Sequence, residues 1–395
     1  MIVILLFLIV LLITAKQMGL ISAPYKVNKW FLMNGSIFLF LGCLHFIEIQ
    51  YFRSSWFNFF DEQAFFNYMN QFSFSELIVS LIDQYHIFYF FGKLTYISGG
   101  EFMLKIVHSI IALFTLLILY KQYHKNKFIL MLFPFMFFYF YLLSLMNMRD
   151  VLMYCIVFLL FYILNTNSLL KTLLKGGVLL LILFSLRPLY APILLLLFLW
   201  IKRNEVRALG KLTILIGSIG FCFLMKDWFL GRIYNYFIVD ILSQDSQRLA
   251  ALNYGGSITP ISYIIGFFKQ LFTPFPLSKI KFLLTSNQTI LNPLGNLYLI
   301  EISRIILMSW VYILTLFSLL KIKSFIRFVY QSTFNTCLFY FSIINTLFYT
   351  AYNFGSGSSR TKLFPFFLLF LFFCEYLKER KERQQSTIDK SLISS

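Results

Sequence analysis

Long apolar runs separated by short polar segments make up most of the chain. Crossing about 30 Å of hydrocarbon takes roughly 20 helical residues, fewer where the bilayer thins. The first run, MIVILLFLIVLLITAKQ, has no basic segment before it and no small-residue cleavage site, so it predicts a retained span rather than a signal peptide. By this rule the pattern predicts about eleven spans, near residues 1–15, 32–50, 104–120, 128–147, 150–166, 174–187, 189–201, 212–226, 302–320, 333–351 and 363–377.

The composition supports an all-α polytopic membrane protein. Of 395 residues, 59% are hydrophobic and 13% charged, which excludes an ordinary soluble domain. A net charge of +18 is compatible with nucleic-acid binding, but no basic soluble domain, zinc motif or RNA-binding signature accompanies it. The five cysteines lack CxxC spacing and the four histidines lack metal-ligand spacing, so we predict no redox role, metal or cofactor.

Basic residues predict the orientation of the spans. They follow the first, third, fifth, seventh, ninth and eleventh spans, whereas most acidic residues follow the others. Because lysine and arginine concentrate in short cytoplasmic loops, this alternation predicts an outside N-terminus and a cytoplasmic C-terminus. The uncertain part is LLKGGVLLLILFSLRPLYAPILLLLFLWI, which is either two short helices meeting at Arg187 or one broken element.

The chain forms one membrane-embedded domain with two long outer segments, near residues 51–103 and 227–301. Within them, 76–94 and 260–272 carry apolar residues at helical spacing and predict amphipathic interfacial helices on the outer face. An alternative for 76–94 is a further span. The polar tail, residues 378–395, lacks an apolar face and predicts a disordered cytoplasmic segment.

Ionisable residues from four separate loops fall on the predicted outer face. A charge at the membrane boundary is costly, so it tends to line a cavity, form a pair or serve function. A carboxylate can accept the proton of an attacking hydroxyl, and guanidinium groups bind phosphate through two parallel hydrogen bonds. Such a set suits transfer of a sugar from a lipid phosphate, with residues Asp61, Glu62, Arg149, Asp150, Arg187 and Arg360 as candidates.

Each candidate also has a structural explanation. Arg149 and Asp150 can pair with neighbours to tie off helix ends, with Asp150 as the cap of the following helix. Arg187 can reach lipid headgroups, and Arg360 can be an ordinary loop residue. Asp61 can cap a short helix that begins at Glu62 and turns its apolar stripe to the membrane, with Phe65, Phe66, Tyr68 and Met69 in that stripe.

Several short motifs resemble those of a known group of membrane enzymes. The segment DEQAFFNY resembles the signature loop of GT-C integral-membrane glycosyltransferases. The segments RDVLMYCIVFLLFY, RP and SSRTKLFPFFLLFLFF resemble features of related bacterial proteins, which include O-antigen and capsule repeat-unit polymerases. The resemblance covers most of the chain in layout.

The resemblance implies roles for particular residues. Asp61 would be the catalytic base, with Glu62 as its substitute or a metal contact and Tyr68 lining the site. Arg149, Arg187 and Arg360 would face the phosphates. From its place beside Arg149, Asp150 either orients that arginine, which we favour, or takes part in the chemistry. The outer segment that contains Arg248 resembles the large periplasmic loop of the polymerases. The chain has no clear DxD motif, which argues against a metal.

The resemblance thus implies polymerisation of polyprenyl-diphosphate-linked oligosaccharide repeat units at the outer face of the bacterial inner membrane. Alternatives are a GT-C transferase that adds one sugar from a polyprenyl-phosphate donor and a flippase for the lipid-linked oligosaccharide. Transporters commonly bind at mid-membrane between repeats, whereas these charges cluster at one mouth. Expected partners are the substrate, membrane lipids, a chain-length regulator and a flippase, with no nucleic acid.

Overall fold

A computed structural model describes residues 29–52, 60–73, 86–123, 125–145, 149–187, 190–205, 260–272, 275–277, 280, 298–353 and 362–394. All regular structure in these residues is helical. The helices are α1 Lys29–Phe52, α2 Phe60–Gln71, α3 His86–Tyr123, α4 Lys127–Met136, α5 Phe138–Leu145, α6 Arg149–Thr166, α7 Leu169–Leu186, α8 Tyr190–Ile201, α9 Pro260–Phe272, α10 Tyr298–Leu320, α11 Ile322–Tyr330, α12 Thr333–Asn353 and α13 Leu363–Ser394.

Four helical segments within the described residues are long and apolar enough to cross a membrane: Met103–Tyr123, Arg149–Thr166, Leu169–Leu186 and Ile302–Leu320. Lys127–Phe133 and Phe138–Leu145, bent by 55° relative to each other, form either a fifth, broken span or a re-entrant loop. The predicted spans 1–15 and 212–226 lie outside the described residues. The described residues are thus all helical and include four to five candidate membrane spans, while eleven spans and interfacial helices stay predictions.

Exposed apolar stripes give these helices a surface for lipid. On α7, Leu170, Leu174, Val178 and Leu181 are between 56% and 76% exposed at spacings of three or four residues. These residues lie on one face of a helix. An apolar face of this length that no other part of the described chain covers is suited to contact with membrane lipid.

Basic residues gather at one end of the helix bundle, where polar contacts join its helices. Asn126 donates to Glu375 at 2.7 Å, and Asn165 donates to Gln122 at 3.3 Å. Glu205 accepts the backbone N–H of Leu169 at 2.9 Å. Hydrogen bonding from Lys202 and from this N–H lowers the pKa of Glu205. This basic end also carries Lys125, Lys127, Lys171, Lys175, Arg203, Lys321, Lys323, Arg327 and Lys378.

The directions of the helices show which residues lie at the end of the bundle opposite the basic end. Because α6, α8 and α10 run toward the basic end, their first residues lie at the opposite end. Helices α7 and α12 begin at the basic end, so their last residues lie at the opposite end too. Helix α13 reaches Glu375 at the basic end and therefore begins, at Leu363, at the opposite one.

Helix α3 reverses direction at a glycine. Gly100 has φ +71°, in the left-handed region that glycine adopts readily. The rings of Phe88 and His108 lie 5.9 Å apart, whereas twenty residues of straight helix would separate them by about 30 Å. The N-terminal part of α3 therefore folds back along the rest, at the opposite end of the bundle.

Helix α2 packs on this folded-back part, and it differs from the helix considered for Asp61. It begins at Phe60 rather than Glu62, so Asp61 is its second residue and not its cap. Met69 is 2% exposed. A Cβ atom at Gly92 would meet its sulfur at 2.6 Å. The predicted lipid-facing stripe is therefore wrong at Met69, because this side chain packs against α3.

The C-terminal tail is helical, which corrects the prediction of disorder from residue 378. Helix α13 continues without a break to Ser394. Lysine, glutamate, arginine and glutamine favour helix. Arg383 donates to Glu379 at 3.1 Å across one helical turn. A polar helix can continue from a packed one without an apolar face of its own. The polarity of this segment therefore did not imply disorder.

Candidate functional site

A partly buried ion pair joins the beginning of α6 to the segment between α7 and α8. Arg187 Nη2 lies 3.7 Å from Asp150 Oδ1, with side-chain exposures of 18% and 5%. Asp150 is the second residue of α6, and Arg187 ends α7. The sequence predicts that Asp150 orients Arg149, and the structure in addition places Asp150 beside Arg187. The pair holds one guanidinium in place at the opposite end of the bundle.

Arg149 lies against helix α2. Its guanidinium carbon is 5.3 Å from the centre of the Phe65 ring, within the range of a cation–π contact. Phe65 packs edge-on against Phe88 at 5.5 Å, and Phe88 packs against His108. Helix α2 thus contacts the start of α6 through aromatic rings. Asp61 lies on the same helix as Phe65, one turn earlier.

A buried lysine supports the chain just before Arg149. Lys105, 5% exposed, donates through Nζ to the backbone oxygen of Leu145 at 3.0 Å. Leu145 is the last residue of α5, where helix carbonyls lack partners within the helix. A lysine at a helix C-terminus satisfies such a carbonyl and is favoured by the helix dipole. Lys105 therefore fixes the end from which the chain continues to Arg149.

An aromatic layer lies one turn further into the bundle. The Phe364 ring is 4.6 Å from Tyr154 and 4.9 Å from Phe341, and Phe341 is 5.1 Å from Tyr190. The Tyr190 hydroxyl bonds to Asn345, and both side chains are buried. These contacts join α6, α8, α12 and α13 directly beneath the charged residues. The arginines therefore lie above a layer of packed aromatic side chains.

The structure brings together part of the predicted set. Arg149, Asp150 and Arg187 lie at one end, with α2 beside them. For Asp61 and Glu62 the structure describes the backbone, and their side chains lie outside the described part. Tyr68 is 59% exposed, with its ring 6.1 Å from Tyr89.

Two predicted residues, Arg360 and Arg248, lie outside the described residues. Other residues of this end were missed by the sequence analysis: Lys105, Tyr190, Asn345 and Lys362. Lys105 and Lys362 stand beside apolar runs, in EFMLKIVHSII and TKLFPFF, and this position was a signal of burial. Nothing in the sequence alone indicates the bond between Tyr190 and Asn345, because it joins residues far apart in the chain.

Buried charge concentrates at this end. Among the described residues, the lysines, arginines and acidic residues that are fully buried are Lys105, Asp150 and Lys362. The described part contains no group of three histidine, cysteine, aspartate or glutamate side chains that could hold a metal ion. Arg149 and Arg187 lie beside them. A charge held in such a place tends to line a cavity, form a pair or serve function.

No protein-family model matches the chain, and no match was found among curated proteins or solved structures. The function is therefore argued from the described geometry. That geometry comprises an arginine paired with a buried carboxylate, a second arginine on an aromatic ring, and two buried lysines.

Proposed function

We propose that the protein polymerises polyprenyl-diphosphate-linked oligosaccharide repeat units into a surface polysaccharide, at the outer face of a bacterial cytoplasmic membrane. The observation that carries the proposal is the convergence of Arg149 and the Asp150–Arg187 pair at one end of the bundle. A diphosphate offers oxygen acceptors for both guanidinium groups. The aromatic layer beneath gives the arginines a fixed position.

The orientation of the bundle supports this location. Lysines and arginines are concentrated in short cytoplasmic loops of membrane proteins. The basic end would accordingly lie in the cytoplasm, and the arginine site would open to the outer face. Lipid-linked repeat units that have been moved across the membrane would reach it there.

The proposed reaction is a glycosyl transfer between two lipid-linked glycans. The Asp61 carboxylate accepts the proton of the acceptor hydroxyl, and that oxygen attacks the anomeric carbon of the donor glycan. The bond between this carbon and the diphosphate oxygen breaks, and its electron pair leaves with the polyprenyl diphosphate. Arg149 and Arg187 stabilise the departing charge. The growing chain is thereby joined to the next repeat unit.

Deletion of the gene, followed by gel analysis of the surface polysaccharide, tests the proposal. We expect a single repeat unit on its lipid acceptor in place of the long-chain ladder. Total loss of the glycan would instead indicate a flippase or an earlier step, and long chains that lack one sugar would indicate a single-sugar transferase. Either result would overturn the proposal.

Complementation of the deletion strain tests the arginine site. Arg187→Lys keeps the charge beside Asp150 but loses the two-pronged geometry of the guanidinium. We expect shorter chains with this variant, at unchanged protein abundance in the membrane. The matched control is Arg383→Lys, on the exposed helical tail, which should restore the full ladder. A full ladder from Arg187→Lys and from Arg149→Ala would contradict the assigned roles.

A further inference from the structure

Lys362 is a buried lysine that the proposed reaction has not used. It directly precedes α13 and is 2% exposed. Its Nζ lies 3.8 Å from the sulfur of Met308, which is 1% exposed. A thioether is a weak acceptor and carries no charge to balance an ammonium group. The described surroundings of Lys362 therefore leave its charge to be balanced by something else.

The position of Lys362 does not stabilise its helix. The N-terminus of a helix carries a partial positive charge, so a cation there is unfavourable and an anion is favourable. Holding an ammonium group in a buried place adds a desolvation cost. Structural stability alone would thus be served better by an uncharged side chain at this position. An anion bound beside Lys362 would offset both costs, because it would pair with the ammonium group and would itself be favoured at the helix N-terminus.

Lys362 lies at the same level as the arginine site. It stands two residues before Phe364, whose ring contacts Tyr154 at 4.6 Å. Tyr154 is one turn after Asp150 on α6. Through Phe341 and Tyr190 the same layer reaches Arg187, whose backbone oxygen accepts the N–H of Tyr190 at 2.9 Å. Lys362, Asp150 and Arg187 therefore border one layer from the same side.

We infer that Lys362 is a further diphosphate-binding residue of this site, contacting the phosphate of the polyprenyl-diphosphate substrate from the α13 side. The inference rests on the proposed function. Arg149 belongs to α6, and Arg187 to the connection between α7 and α8. Lys362, directly before α13, would contact the diphosphate from a third element. A diphosphate carries at least two negative charges and suits several cations, whereas Asp150 already pairs with Arg187.

The test is binding of polyprenyl diphosphate to the purified full-length protein in detergent, measured by native mass spectrometry. Lys362→Met removes the charge and keeps the side-chain length. We expect its Kd for polyprenyl diphosphate to rise about tenfold or more, as for loss of a charged hydrogen bond. Lys362→Arg should bind within about threefold of the wild type. Lys381→Met, which removes an exposed lysine of α13, should bind as the wild type does.

Binding of phosphatidylglycerol, measured on the same variants, serves as the comparison. A weakening of phosphatidylglycerol binding equal to that of polyprenyl diphosphate would mean that Lys362 binds lipid headgroups in general, and would overturn the inference. So would unchanged binding of polyprenyl diphosphate by Lys362→Met. If Lys362→Met does not fold, the test uses Lys362→Arg. A folded Lys362→Arg protein whose Kd for polyprenyl diphosphate is about tenfold higher than that of the wild type would also overturn the inference.

The outcomes separate the inference from the proposed function. A wild-type protein that binds no polyprenyl diphosphate would contradict both. A wild-type protein that binds it, while Lys362→Met binds it equally well, would contradict only the role of Lys362. Size-exclusion chromatography of each variant establishes that the comparison is made on folded protein.

Discussion

At the scale of single residues, the site depends on charges that are held away from water. Asp150 is buried, and its partner Arg187 keeps part of its surface exposed. Removing one member of such a pair leaves the other with an uncompensated charge, which costs more than the pair itself contributes. The arginine is therefore fixed by a carboxylate that need not touch substrate.

A double-mutant cycle measures this coupling. Asp150→Asn and Arg187→Gln should each lose about 2–3 kcal/mol of stability, less than a fully buried pair would. The double variant should lose about 1–2 kcal/mol less than the sum of the single losses. The measurement is thermal unfolding of the purified variants in detergent. Additive losses would contradict the pair.

Local sequence patterns predict part of this site, and long-range packing determines the rest. Arg149, Asp150 and Arg187 were predicted because charges interrupt apolar runs at span ends. The contact of Arg149 with Phe65 was not predicted, since it needs α2 to pack on a folded-back α3. Lys362 was missed although it stands beside an apolar run, and the sequence does not indicate its contact with Met308 on α10.

At the scale of elements, the sequence predicts helices better than the turns between them. The predicted spans 150–166 and 302–320 coincide with α6 and with most of α10 to within a few residues. The reversal inside α3 was not predicted, although ISGGE contains two glycines. A glycine pair in an apolar run is compatible with close helix packing as well as with a turn. The left-handed φ of Gly100 distinguishes the two.

Two glycine substitutions test the reversal. A Cβ atom at Gly100 or at Gly177 would meet no atom within 4 Å, so neither alanine creates a clash. Gly100→Ala should lose about 1–2 kcal/mol because alanine disfavours the left-handed region. Gly177→Ala, inside α7, should gain about 0.5–1 kcal/mol from its higher helix propensity.

Thermal unfolding of both variants gives the comparison, with Gly100→Asn as an intermediate case because asparagine tolerates the left-handed region. A stabilised Gly100→Ala variant would show that α3 does not reverse at this residue.

At the scale of the whole molecule, the two ends of the bundle differ in their charged residues. Lysines and arginines surround one end, and the charged site lies at the other. The alternation of basic loops predicts this division from the sequence. The described helix directions agree with it for α6, α7, α8, α10 and α12.

Cysteine labelling in intact cells tests the proposed orientation, in a background where the five native cysteines are replaced by serine or alanine. Tyr68→Cys, on the exposed side of α2, should react with a membrane-impermeant maleimide added outside. Lys125→Cys, at the basic end, should react only after the membrane is permeabilised. The reverse pattern would place the arginine site in the cytoplasm and contradict the proposed orientation.

The central claim is that this bundle joins repeat units carried on polyprenyl diphosphate. Its most direct test supplies the purified protein in liposomes with a polyprenyl-diphosphate-linked repeat unit from the same cell, without nucleotide sugars. The products are then separated on a gel by length. The account predicts a ladder at integral multiples of the repeat unit, with free polyprenyl diphosphate released once for each bond formed. A substrate that remains one repeat unit long, in liposomes containing folded protein, would contradict it.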